Sequence, residues 1–422
     1  MPSYVCKLLL LSLCGLMVAC VTTPTPNRPA APIQNKTVIS GQSNTPADTA
    51  TTTPQQEQNT DISPAPDRKQ AAGATPLPTH IPYRDSSAKF SRLAHWNSAQ
   101  FLPAFQAFKK SCARIKLRPA AADLHAKYPQ YGTYGDWQEI CERTGIYSEV
   151  ETHARHFFEQ EFSPLSPNTP PKDGLLTGYY EPVIDVRLTA DSTFTEPVLT
   201  RPKTAALQNR PRAEIDPNAS DVIAYGRPID IFFMQVQGSG RLQFPDGRQV
   251  RAAFDGHNSH KYSSIGAVLI RRGVLTRESA SKGSIERWMN QAGPAQAKAL
   301  MNENKRYIFF KSETIAAAEG PKGAAGLPLT AMGSIAIDPS FYTYGLPIWL
   351  DTALPQSSID VTGKATGLLT IAQDTGSAIR GVHRADLYFG TGDAAGQAAG
   401  RIKHPLNLTV LVPNHVLRPP RS

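Results

Sequence analysis

Between Ser334 and Val412 the chain alternates five short apolar stretches with turn residues: Ser334–Ile337, Pro347–Leu350, Leu368–Gln373, Ala385–Phe389 and Leu406–Val412. Strands this short and this closely joined satisfy their edges best by curling round on themselves. The pattern therefore predicts a small closed barrel and not an open sheet. Upstream, after Pro171, further strands are expected at Leu175–Tyr180, Ile229–Gln237, Arg241–Phe244 and Gln249–Phe254, the last two joined as a hairpin by Pro245-Asp246-Gly247. Helical spacing returns at Tyr262–Arg272 and Arg277–Asn304, ahead of a strand at Tyr307–Phe310 and a glycine-rich passage, Gly320–Gly326. No internal repeat of fixed period is visible.

The part before these strands reads as helical. Phe101, Leu102, Phe105, Phe108 and Cys112 recur at three- and four-residue spacing; Trp137, Ile140 and Cys141 begin a second apolar face, and Phe157, Phe158 and Phe162 suggest a third. These phenylalanines are expected in the core. The fold class is thus mainly β with N-terminal helices.

The N-terminus has the character of an export signal, with Lys7 ahead of the apolar stretch Leu8–Val18, which is too short to span a bilayer. Leu16-Met17-Val18-Ala19-Cys20 resembles a bacterial lipobox, with Met17 where Leu is usual. It implies cleavage after residue 20's predecessor, lipidation of Cys20 and, with Val21 following, anchoring at the periplasmic face of the outer membrane. From Val21 to about Ser86 the chain is rich in Pro, Thr, Ala, Gln and Asn. Such a segment buries too little apolar surface to offset its ordering entropy and is expected to be a disordered tether, residues 21–85. About 335 residues remain, enough for two domains.

Of five cysteines, Cys6 and Cys14 leave with the signal and Cys20 carries lipid. Cys112 and Cys141 remain, either as a disulfide formed in an oxidising compartment or as buried apolar thiols. The net charge of +9 suits an anionic polymer, a class that includes peptidoglycan, nucleic acid and acidic lipid; export excludes nucleic acid. Ten histidines are scattered without metal-ligand spacing, His257 and His260 lie in a polar loop, and no phosphate-binding glycine loop occurs, so neither metal nor cofactor is implied.

The most informative stretch runs from Leu368 through Asp374-Thr375-Gly376-Ser377 and Arg384-Ala385-Asp386-Leu387-Tyr388-Phe389-Gly390 to Gly392-Asp393. It sets three aspartates, Asp374, Asp386 and Asp393, at strand ends and turns, where a rigid strand can present a reactive side chain. Aspartate also favours turns for purely local reasons. This trio resembles the signature of the aspartate-rich 3D domain, and Gly333–Pro339 with Tyr344-Gly345-Leu346-Pro347 fits the same module. Thr177-Gly178-Tyr179-Tyr180-Glu181-Pro182 and Phe232–Arg241 are similar to blocks of the MltA family of membrane-bound lytic murein transglycosylases. Four blocks in one order along most of the folded chain carry the resemblance.

The resemblance implies a double-psi β-barrel built from two distant segments, 86–182 and 321–422, with a β-rich domain inserted at 183–320 and a glycan-binding groove between them. Val183–Asp221 is shorter than usual for the family, which leaves the outer part of the inserted domain open. The implied activity is that of a carbon–oxygen lyase. It would cut the β-1,4 bond between N-acetylmuramic acid and N-acetylglucosamine in peptidoglycan with formation of 1,6-anhydromuramic ends, exolytically and with no stem-peptide requirement. One acid suffices for this, since the muramoyl C6 hydroxyl replaces water as nucleophile and gains from high effective molarity. By the resemblance that acid is Asp386, with Asp374 as its charged neighbour and Asp393 third; the alternative makes Asp374 the acid. Arg384, Gln237, Gly238, Ser239 and Arg241 are expected to bind sugar, as are Thr177 and Tyr180, although Tyr179 and Tyr180 must alternate faces. Glu181 is expected to end its strand outside the chemistry. Peptidoglycan strands are the expected partner, with other cell-wall enzymes as further candidates.

Two rival readings remain. Asp374-Thr375-Gly376 after an apolar strand is the aspartic-protease pattern, but no second Asp-Thr-Gly or Asp-Ser-Gly supplies the partner such enzymes need. A glycan-binding barrel without catalysis would share much of the sequence.

Overall fold

The computed structural model describes residues 90–167, 169–315, 319–355 and 363–417. The export signal, Cys20 and the tether at 21–85 lie outside the described residues. Among those described, no helix is long and apolar enough to cross a membrane.

Three helices open the fold: α1 (Leu102–Ile115), α2 (Tyr134–Arg143) and α3 (Glu151–Glu161). Pro103 starts α1 where its missing N–H costs nothing, and Thr133 with Asp136 forms a capping box on α2. Phe105, Phe108, Phe157 and Phe158 are fully buried and meet edge to face. Phe162, expected in the third helix, instead opens strand β1 (Phe162–Leu165). Cys112 of α1 and Cys141 of α2 are disulfide-bonded, with Cα atoms 5.4 Å apart.

Strand β2 (Leu175–Glu181) follows, then a second group: β3 (Val183–Arg187), β4 (Glu196–Leu199), α4 (Ala205–Gln208), β5 (Val222–Gly226), α5 (Pro228–Gln237), β6 (Gly240–Gln243), β7 (Gln249–His257), α6 (Ile265–Arg271), α7 (Lys282–Ala292), α8 (Pro294–Asn302) and β8 (Ile308–Glu313). The chain ends with β9 (Ser334–Ala336), β10 (Pro347–Leu354), β11 (Lys364–Asp374), β12 (Arg384–Thr391), α9 (Asp393–Ala399), β13 (Lys403–Pro405) and β14 (Asn407–Pro413).

Hydrogen bonds join these strands into two sheets. One has eight strands in the order β1-β14-β10-β11-β9-β12-β2-β13, drawing β1 and β2 from before the second group and the rest from after it. The other has six, β4-β5-β3-β6-β7-β8. The closed barrel expected at the C-terminus is not detected: the eight-strand ladder ends at β1 and β13, without a pairing between them among the described residues. What holds is the coarser class, mainly β with helices.

Residues 229–237, expected as a strand, form helix α5 instead. Ile231 and Met234 pack into the core of the six-stranded sheet, whereas Phe232 and Phe233 pack against α6, α7 and α8. A helix buried on opposite sides is apolar all round and loses its 3.6-residue signature. Its ends were nonetheless written in the sequence, with Pro228 in the first turn and Gly238 as a left-handed C-cap at φ 91°. Likewise the helical pattern at 277–304 splits at Gly293-Pro294 into α7 and α8. The Pro245-Asp246-Gly247 hairpin joins β6 and β7 as the pattern requires.

Candidate active site

Strand β9 carries the geometry of the site. On one side Asp374 of β11 is level with Ala336, and on the other Asp386 of β12 is level with the same Ala336. Two strand spacings therefore separate the aspartates, roughly 10 Å between their Cα atoms. The small, buried Ala336 lies between them. A register shift at Gln373 re-aims the end of β11. Gln373 itself is buried and pinned, accepting from Ser334 Oγ at 2.6 Å and donating to the Ala107 carbonyl and Ser111 Oγ of α1, both at 2.9 Å.

The next strand, β2, runs parallel to β12 with Thr177 opposite Asp386. Thr177 Oγ1 donates to Asp386 Oδ1 at 2.6 Å and accepts from Arg384 Nη2 at 2.9 Å. Two residues on, Tyr179 donates its hydroxyl to Asp374 Oδ2 at 3.0 Å. Asp374 Oδ1 accepts from the Ala324 and Thr375 N–H groups at 2.9 and 2.8 Å. Asp374 thus has both oxygens occupied by three donors. Asp386 uses only Oδ1, and its Oδ2 accepts no hydrogen bond among the described residues.

Both carboxyls are densely surrounded by protein yet keep part of their surface accessible, as groups on the floor of a cleft do. Burial pushes Asp374 up to about 6, against its backbone donors and Tyr179; the nearby Asp386 charge adds to the rise. Burial also raises Asp386, opposed by the Thr177 hydrogen bond and the Arg384 guanidinium. Burial above all, with the charge of Asp374 adding, carries Tyr179 well above the ordinary phenol range, so it stays a donor.

The other expected site residues lie elsewhere. Tyr180 points from the opposite face of β2 towards α9, where its ring fills the space a side chain on Gly396 would need. Asp393, the first residue of α9, shares with Tyr180 and Lys282 a hollow of about 330 Å³, apart from the Asp374–Asp386 pair. Gln237, Gly238, Ser239 and Arg241 do not follow a strand but the end of α5. Gly238 N–H closes the helix on the Met234 carbonyl and Arg241 N–H bonds the Pro182 carbonyl, so these donors are already used. Gln237 Oε1 accepts from the Tyr180 N–H at 3.1 Å.

Arg241 is held as well. Glu181, fully buried, takes Arg241 Nε on one oxygen at 2.8 Å and Arg251 Nε on the other at 2.6 Å, while Thr391 Oγ1 donates to it at 2.8 Å. Glu181 ends β2, and both arginines also donate to the carbonyl of Glu319, where the chain returns from the second group. The residues that sequence reasoning passed over are thus Tyr179, Gln373, Ala324 and Arg251. Only Tyr179 had a visible signal, its odd-numbered place on the same strand as Thr177.

The MltA specific insert domain model matches residues 203–311 and the 3D domain model residues 333–412. Membrane-bound lytic murein transglycosylase A of Vibrio cholerae is 40% identical over 237 residues, covering 54% of this chain and 63% of that protein. The lytic transglycosylase LtgG of Burkholderia pseudomallei superposes with a TM-score of 0.54 at 31% identity, over 79% of this chain and 98% of the other. The chain belongs to the MltA family. Among solved MltA structures, that of the Escherichia coli protein with bound chitohexaose is 26% identical, with a TM-score of 0.58 over 80% of this chain and 99% of the other. The matched region spans about 63% of the length of the first curated MltA relative.

Proposed function

We propose that this protein is a lytic transglycosylase that cuts the bond between N-acetylmuramic acid and N-acetylglucosamine in peptidoglycan, exolytically, and leaves 1,6-anhydromuramic ends. The observation that carries the reading is the pair of half-open, pKa-raised carboxyls flanking Ala336, one with a free oxygen. The chitohexaose seen in the E. coli relative supports a glycan in the same family of folds.

Asp386 is the acid and base. Burial raises both carboxyls, but three donors leave Asp374 no free oxygen, whereas protonated Asp386 can offer Oδ2 to the glycosidic oxygen. As the bond from C1 to the leaving oxygen breaks, that proton goes to the leaving sugar. Carboxylate Asp386 then takes the proton of the muramoyl C6 hydroxyl, whose oxygen bonds to C1. No water is consumed. Asp374 lies near enough to stabilise positive charge developing at C1. Arg384 and Thr177 orient Asp386.

The eight-stranded ladder is read as a double-psi β-barrel assembled from 86–182 and 321–422, with 183–320 inserted, and the glycan lies between the two parts. Lipidation at Cys20 anchors the enzyme at the periplasmic face of the outer membrane; the Vibrio relative is named membrane-bound. Peptidoglycan strands are its partner. Digestion of purified murein with mass spectrometry of the products tests the reaction. Anhydro ends that disappear in Asp386→Asn, with the fold kept, are expected; reducing ends indicate a hydrolase, and retained activity in the variant overturns the assignment.

A further inference from the structure

A hollow of about 560 Å³, within the usual range for small-ligand sites, opens beside Asp374 between the end of α1 and the loop at 324–326. Ala324 belongs to both places: it lines the hollow and gives its N–H to Asp374. Tyr344, also in the lining, is pushed up to about 12 mainly by burial and next by the charge of Asp374. The hollow therefore adjoins the proposed reaction centre.

Two guanidiniums line it. Arg114 lies over Gly326, where an added Cβ would come within 2.3 Å of Arg114 Nη2. Gly326 has φ 70°, which glycine adopts freely, and no side chain to displace the arginine. Arg118 sits 5.3 Å from the centre of the Tyr134 ring. Neither arginine has an acidic partner within 4 Å among the described residues, although other arginines of this chain, such as Arg143, Arg155 and Arg272, do. Two oriented, uncompensated guanidiniums in one concave site select carboxylates, which they bind through paired N–H donors.

We propose that this hollow holds the stem peptide of the muropeptide through its free carboxylates, Arg114 and Arg118 being the specificity-determining residues. The proposal rests on the reading of peptidoglycan as substrate. Muramic acid carries its peptide on the lactyl group of the very sugar whose C1 reacts, so an acidic appendage must leave the reaction centre on one side. The charge of the hollow suits that appendage and has no use for neutral N-acetylglucosamine. It adds a preference for peptide-bearing strands to an enzyme whose chemistry does not require one.

Titration calorimetry of the full folded chain with a free stem tetrapeptide tests this without any turnover. Binding is expected to weaken at least 10-fold when the peptide carboxylates are amidated, and likewise in the exposed-site variant Arg114→Ala/Arg118→Ala. Equal binding of the free and amidated peptides, or an unaltered affinity in the double variant, overturns the proposal. So does loss of chitohexaose binding in that variant, which would make the hollow a sugar subsite. Should murein digestion yield no anhydro ends while peptide binding behaves as stated, the catalytic reading fails and the peptide site stands.

Discussion

Replacing Asp374 by Asn should make the protein more stable at neutral pH, by an amount the carboxyl's surroundings set. Asn fills the same space, and its amide oxygen can take over the Ala324 and Thr375 N–H bonds while its nitrogen faces the Tyr179 hydroxyl as a donor. In the native protein the group titrates at about 6 against an ordinary 3.8. The sign follows from which state holds the proton more tightly. Below about pH 4 the carboxyl is protonated in both the folded and unfolded chain, and nothing is lost. Between about pH 4 and 6 the unfolded chain releases the proton first, so stability falls as pH rises; above the folded pKa the full loss is present. A rise of about two units at ~1.4 kcal/mol each sets an upper bound on the order of 3 kcal/mol, reduced because the carboxyl keeps some contact with water. Urea unfolding of both proteins at pH 4, 5, 6 and 7.5 reads this group together with its coupling to Asp386, every other difference between the two being removed. The expected difference in stability, variant minus native, grows by about 2 kcal/mol across that range with unchanged m-values. A difference that stays flat with pH would refute the claim that Asp374 is held in a site hostile to its charge.

Other expectations follow from the same contacts. Tyr179→Phe removes one donor from the Asp374 carboxylate; a hydrogen bond to a charged group is worth about 1.5 kcal/mol, so carboxyl-carbon NMR should show the Asp374 midpoint rising by about one unit. Cys112→Ala/Cys141→Ala opens a loop between residues 29 apart and should cost about 3 kcal/mol in chemical denaturation. Glu181→Gln leaves two guanidiniums without their buried counter-charge and should destabilise the fold by about 3 kcal/mol or more, read from the same unfolding curves.

Much of the scaffold was legible because it obeys a single period. The phenylalanines of α1 and α3 face one core, so their three- and four-residue spacing survives in the sequence. The C-terminal strands were legible from short branched runs between turn residues, and Asp374 and Asp386 from their places at strand ends. Helix α5 was not, because it packs on two cores and its apolar residues Ile231–Met234 run consecutively instead of at helical spacing; the Pro228 and Gly238 boundaries were the better guide. Closure of a barrel was read from strand length alone, yet pairing at the ladder's ends depends on curvature and partners distant in sequence. The Glu181 clamp was hidden for another reason. Its partners lie 60 and 70 residues away, and an acidic residue before a proline looks like the end of a strand. Arg241 consequently read as a free sugar ligand.

The alternation of β2 decides how the site and the connection between the two sheets are joined. Thr177, Tyr179 and Glu181 share one face, and they reach Asp386, Asp374 and the two clamp arginines in turn. The other face meets α9 so closely that a Cβ on Gly178 would lie 2.8 Å from the Ala399 Cα, and Tyr180 covers Gly396. β12 and β13 pair with the strand on its two edges. A slip of one residue would present Gly178 and Tyr180 to the carboxyls and force Thr177 or Tyr179 into the place of Gly178 against α9, where even a methyl group does not fit. Such a slip would also swing Glu181 away from Arg241 and Arg251. The same register that orients the two acidic residues therefore fixes the direction in which the chain departs for the second sheet. Placement of the carboxyls and placement of that departing segment are one structural decision, made within the seven residues of β2.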